Sequence, residues 1–195
     1  MTKSVNRGRY VYHRVPPDLR GATLYPLNQL EGRFPDLYAR LQENYASRRD
    51  IAALRIPPLG NCLWNDVLHF CPVHPARINA ALAESGHVLP AEWRRFYQVD
   101  ARLLDDGNAV IYRLLTVFWS GRFDIEEASL QIGRECLPFD PDSLAAFDDV
   151  PEAALSYYAS VPPGGPPPIL FLNVPHVLYK GQIDLDADGI TIVEV

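Results

Sequence analysis

The sequence predicts an α+β domain built on a central, mostly antiparallel β-sheet with short flanking helices. Three observations carry that prediction. Short aromatic and β-branched runs recur from one end of the chain to the other, at residues 9–15, 95–99, 109–112, 169–172 and 189–195. Stretches with helical spacing are brief. The 18 prolines and 12 glycines among 195 residues punctuate the chain heavily, which keeps helices short and connections numerous. At 48% hydrophobic and 22% charged residues, the chain can build a packed core, and wholesale disorder is excluded. The length suits one domain, residues 10–195, behind a flexible polar lead-in at 1–9.

The elements follow in order. RYVYHRV at 9–15 reads as a strand closed by Pro16 and Pro17. Residues 18–30 read as a short helical turn and an irregular stretch, broken by Gly21 and Pro26. Residues 35–53 are the strongest helical region, with Leu37, Tyr38, Leu41 and Tyr45 on one face. Gly60 and Asn61 mark a turn ahead of CLWNDVLHFC at 62–71, and a helix is expected over 76–85, ended by Gly86. Strands at 95–99 and 109–112 flank a turn at 105–108. Residues 114–119 suit a strand or a buried helix, and 126–136 a helix. A further helix is expected at 152–160. PPGGPPP at 162–168 has polyproline character, and strands close the chain at 169–172, continuing toward 179, and at 189–195.

A formal net charge of −6 argues against general polyanion binding, while leaving room for a local basic cleft. Cys62, Cys71 and Cys136 form no CxxC pair, which points to reduced thiols. No apolar run reaches membrane-spanning length and none follows the basic start as a signal peptide would, so the expected location is the cytoplasm, with no membrane partner.

Four constellations could carry chemistry. In the first strand, alternation puts His13 on the face of Val11 and Val15, as a hydrogen-bonded core histidine or as a ligand group. In the second, Asp66, His69 and His74 lie close together, but their spacing fits neither HExxH nor a Cys/His finger, so no metal is expected. There Trp64, Val67, Leu68 and Phe70 suit a core, with Asn65 and Asp66 capping a turn. The third, Arg48 and Arg49 with Arg55 behind, can grip a phosphate or simply end a helix. The fourth is His176, which opens an apolar run. Nucleotide-loop and nucleophile-elbow motifs are missing, and adjacent carboxylates such as Glu126 and Glu127 diverge too far to act as an acid/base pair.

Taken in order, these pieces resemble the ADP-ribosyltransferase superfamily, and within it the DarT-like enzymes that modify DNA bases. YVYHRVPPDLRGATL resembles the family's first strand and turn. RRDIAALRIPPLGNCLWNDVLHFCPVHPARI is similar to its arginine-containing segment and next strand, through Leu63, Asn65, Asp66, Val67, Phe70, Pro72 and Pro75. PHVLYKGQIDLDADGITIVEV is similar to its closing strands. The resemblance implies a split β-sheet whose cleft binds NAD as a substrate. His13 would hydrogen-bond the nicotinamide ribose, and Arg48 or Arg49 would hold a phosphate. Asn65, Asp66 and Tyr25 would line the cleft or orient an acceptor. It also implies a DNA, RNA or nucleotide acceptor, a toxin or defence role and an antitoxin protein as partner.

The chain departs from the family at the penultimate strand, where His176 stands in place of the expected glutamate. Three cases follow: a transferase using His176, one whose carboxylate is Glu135 or Asp66, or a degenerate binding module that has lost transfer. A related group on the same fold removes a 2′-phosphate from RNA with arginine and histidine. That makes a phosphotransferase or nuclease using His13, His69 and Arg49 a further alternative.

Overall fold

A computed structural model describes residues 9–46, 49–113 and 135–195. Within them the chain is mixed α+β, and every paired strand is antiparallel to its neighbour. The strands in chain order are β1 (Tyr10–Arg14), β2 (Thr23–Leu24), β3 (Arg55–Ile56), β4 (Cys62–Leu63), β5 (Leu68–Phe70) and β6 (Arg95–Asp100). They continue as β7 (Ala109–Tyr112), β8 (Cys136–Pro138), β9 (His176–Tyr179), β10 (Ile183–Asp184) and β11 (Ile190–Glu194). The helices are α1 (Pro35–Gln42), α2 (Arg49–Ala53), α3 (Pro75–Glu84) and α4 (Glu152–Ser160).

Two sheets organise the molecule. One runs β1-β6-β11 and the other β5-β9-β7-β8, while β2 pairs with β10 and β3 with β4 in two small ribbons. Sequence-distant segments therefore become neighbours: β11 lies beside β6, one strand away from β1. Among the described residues, the strands of the two sheets are joined by main-chain hydrogen bonds where Tyr12 and Cys71 exchange a reciprocal pair, each N–H donating to the other carbonyl at 2.8 Å. Beyond that rung, β1 and β5 separate.

The faces follow the two-residue alternation. Leu68 and Phe70 of β5 join Val177 and Tyr179 of β9, Val11 of β1 and Tyr97 of β6 in the main core. The opposite face of β7 and β9 buries Val110, Tyr112 and Leu178 against Leu54, Ile56 and Val67. A third cluster packs α3 and α4 together through Ile78, Leu82, Ala154 and Tyr158. Burying a side chain as completely as Phe70 contributes about 2–3 kcal/mol.

Several local expectations hold and others change for physical reasons. α3 begins at Pro75, where a missing N–H costs nothing, and His74 caps it: its Nδ1 accepts from the Ala76 N–H at 3.1 Å. The region expected as one helix over 35–53 is instead α1, a 3₁₀ turn at Glu43–Tyr45 and α2, because Asn44 and Tyr45 are weak helix formers. Strands β6 and β7 do not form a hairpin. Asp100 and Asp105 cap successive 3₁₀ turns, Ala101–Leu103 and Asp106–Asn108, which carry the chain from one sheet to the other. The strand expected from 169 is a turn instead. Asn173 takes a left-handed φ of 63° and Pro175 follows, so extension begins only at His176. The helix expected over 126–136 gives way to a strand at Cys136, while 126–134 and the segment expected at 114–119 lie outside the described residues. Arg9, at the end of the expected lead-in, is held by Asp100 at 2.9 Å.

Candidate functional site

The separation of β1 from β5 opens a cleft between the sheets. Val15 donates its N–H to the Arg95 carbonyl at 2.9 Å, so the odd-numbered residues of β1 turn their main-chain groups toward β6. Tyr12 and Arg14 therefore turn theirs toward β5. By the same alternation His69 turns its main chain toward β1, as Cys71 does. Past the Tyr12–Cys71 rung, the Arg14 N–H and both main-chain groups of His69 have no main-chain partner among the described residues. The sheet is unzipped there, and its open edges face a cavity of about 320 Å³.

The cavity has two unlike walls. On the sheet side stand His13, Arg14, Asn65 and His69; across from them stand Leu30, Phe34, Leu37 and Leu41. The second wall comes from the 3₁₀ turn at Leu27–Leu30 and from α1. It is fastened to the sheet side by Asn28, whose amide donates to Asp66 Oδ1 at 2.7 Å. Tyr25 contributes an aromatic face near the mouth, where the Arg33 guanidinium lies 4.5 Å from its ring centroid.

Three histidines gather around the seam. His69 is the middle one: its ring centroid lies 6.4 Å from that of His176, and His13 acts on it electrostatically. Each donates one ring N–H to a main-chain carbonyl, which can only accept. His13 Nδ1 bonds the Arg14 oxygen at 2.7 Å, His69 Nε2 that of Trp64 at 3.0 Å and His176 Nδ1 that of Val174 at 2.9 Å. The tautomers are thereby set, leaving His13 Nε2, His69 Nδ1 and His176 Nε2 as lone-pair acceptors. Burial keeps all three rings neutral, drawing His13 and His176 down to about 4 and His69 to about 3. The neighbouring His176 lowers His69 further. Among the described residues, no three His, Cys, Asp or Glu side chains are grouped to hold a metal ion.

The sequence candidates divide between the cleft and its surroundings. His13, Asn65 and Tyr25 line the cavity together. His176 stands behind His69, against Tyr112 and Phe171, and not on the cavity wall. Asp66 is spent on structure: its Oδ2 accepts from the Leu63 N–H and its Oδ1 from Asn28, both at 2.7 Å. Arg49 lines a separate shallow hollow beside Gln42 and Ala53, joined to the cleft through Tyr45. Arg48 lies outside the described residues. His69 entered the sequence reading through the Asp66, His69 and His74 constellation and the phosphotransferase alternative; its alternation with Leu68 and Phe70 along a strand is the signal that turns it away from their face.

The cleft holds little free charge. Arg14 stacks its guanidinium over Trp93, 4.2 Å from the ring centroid, and Arg20 is forked onto Asp36. Asp18, the one carboxylate on the wall among the described residues, is half-exposed and paired with Arg40 at 3.0 Å. Burial disfavours the thiolate at each cysteine, pushing Cys71 and Cys136 up to about 12 and raising Cys62. No helix among the described residues is long and apolar enough to cross a membrane.

Comparisons with protein-family models, with curated proteins and with solved structures each give no match to this chain.

Proposed function

We propose that the chain is an NAD-dependent ADP-ribosyltransferase-like enzyme that takes the nicotinamide riboside half of NAD into the cleft between β1 and β5. The observation that carries this reading is the unzipped seam itself. The main-chain N–H and C=O of Arg14 point the same way from the open edge; the N–H is a free donor, and the C=O, which already accepts from His13 Nδ1, keeps a second lone pair, so the edge complements a primary carboxamide. His13 Nε2 and His69 Nδ1 offer lone pairs to ribose hydroxyls. The leucine and phenylalanine wall suits the flat face of a pyridine ring. A cavity of about 320 Å³ suits one half of a dinucleotide, with the adenosine half at the mouth near Tyr25 and Arg33.

The chemistry is displacement at the anomeric carbon. The C1′–N bond breaks, nicotinamide leaves neutral with the electron pair, and the acceptor's lone pair forms the new bond while its proton passes to solvent. Neutral histidines orient the ribose but supply no fixed negative charge to a developing cation, so rate enhancement rests on positioning. A nucleic acid or nucleotide acceptor, an antitoxin partner and a defence role follow from the family resemblance.

A second reading, a binding module without transfer, is favoured by one observation: Asp18, the only carboxylate on the cavity wall among the described residues, is already paired. Calorimetry with NAD, run beside incubation with labelled NAD and nucleic acid, decides between the two. Binding with transfer or nicotinamide release is expected. Binding alone establishes the second reading, and neither binding nor turnover overturns both.

A further inference from the structure

The tip of the polar wall holds a side chain that the fold itself does not use. Asn65 sits in the 3₁₀ turn Trp64–Asp66, is only 3% exposed, and makes no side-chain hydrogen bond among the described residues. Its neighbour Asp66 holds the turn, so the amide of Asn65 is not needed for that. Its amide is not sealed off in the core but opens onto the cavity, where a ligand can meet it. Asn65 shares the cavity with His13 and His69, whose remaining ring nitrogens likewise lack a donor.

We infer that Asn65 is a specificity-determining residue that, with His13 and His69, reads the hydroxyls of an unphosphorylated ribosyl group. The inference rests on the cleft reading above and names the group selected at its inner end. All three side chains are uncharged hydrogen-bonding groups, and two of them present acceptors only. A sugar diol donates to such a set. A phosphate at the same place meets lone pairs at both histidines, while the Arg20 guanidinium is forked onto Asp36 and the Arg14 guanidinium lies over Trp93, a residue outside the cavity lining, so neither is aimed at that point to offset its desolvation. The same arrangement disfavours the 2′-phosphotransferase alternative.

The test titrates wild type, Asn65→Leu and Asn65→Asp by calorimetry with NAD, nicotinamide riboside, adenosine and adenosine 2′-monophosphate, and takes a melting curve of each variant. The expected result is binding of the ribonucleosides and no binding of the 2′-monophosphate. Asn65→Leu weakens them about tenfold or more and melts no lower than wild type, because no internal hydrogen bond is lost. Asn65→Asp keeps more affinity than Asn65→Leu, since a carboxylate still accepts from a hydroxyl. Unchanged affinity in Asn65→Leu overturns the inference, as does tighter binding of the 2′-monophosphate. If adenosine binds through Asn65 but NAD and nicotinamide riboside do not, the selection stands and the NAD reading falls. If NAD binds regardless of residue 65, the NAD reading stands and the selection falls. If nothing binds, both fall.

Discussion

Mild acid should destabilise this protein well before its carboxylates protonate. His13, His69 and His176 are neutral in the fold, drawn from 6.5 to about 4, about 3 and about 4, chiefly by burial. The sign follows from proton counting. At about pH 5 an unfolded histidine is almost fully protonated, while a folded one with a value near 4 is mostly neutral, so the unfolded chain binds more protons and stability falls with pH. The loss begins near 6.5 and continues down to the folded values. Between about pH 7.5 and about pH 5, each ring costs at most about 2 kcal/mol, or about 6 kcal/mol for the three together. That is a large part of the roughly 5–15 kcal/mol holding a typical domain. The carboxylates act in a lower window. Asp36 is drawn down to about 2 by the Arg20 fork, and Asp100 is lowered by Arg102 and Arg9, so their contributions are lost only below the usual carboxylate range. Urea unfolding at the two pH values measures the difference. His176→Phe should shrink it by about 2 kcal/mol, because one titrating ring is gone. Equal stability at both pH values, or an unchanged difference in His176→Phe, would refute the account of the neutral cluster.

Other expectations concern single contacts. His74→Ala removes the cap of α3 and should lower stability by about 1 kcal/mol in denaturant unfolding. Asp66→Ala strands the Leu63 N–H and the Asn28 amide together, so a loss of about 2–4 kcal/mol and loosening of the Leu27–Leu30 wall are expected, visible as faster amide exchange there. Arg49→Ala should leave NAD affinity within about twofold, since this arginine lines a different hollow; a tenfold loss in calorimetry would place it at the ligand after all. Gly181→Ala should destabilise, because a Cβ there overlaps the ring of Tyr179 two residues earlier.

The legible parts of the fold were those with strong local signals. The aromatic first strand ended by two prolines, the capped and proline-started α3, and α4 behind Pro151 could all be read from neighbouring residues. What was not legible depended on pairing. Nothing local in the Asp105–Asn108 turn says that β6 and β7 belong to different sheets, and nothing near His176 says that its strand lies between β5 and β7. At the site, the placement of His13 on the face of Val11 followed from alternation. The capping role of Asp66 was also expected, yet its carboxylate was read as a candidate catalyst too, because sequence cannot show that both oxygens are occupied. The most informative feature, the open edge at Arg14 and His69, was invisible, because it consists of main-chain groups left unpaired by two strands distant in sequence.

The rung between Tyr12 and Cys71 has a practical consequence. These two amides bridge the sheets beside the mouth of the unzipped gap, so they act as a built-in gauge of how often the halves part. Deuterium uptake at Tyr12 and Cys71 that outpaces uptake inside either sheet would register this breathing directly. A molecule wedged into the gap should slow both amides in step.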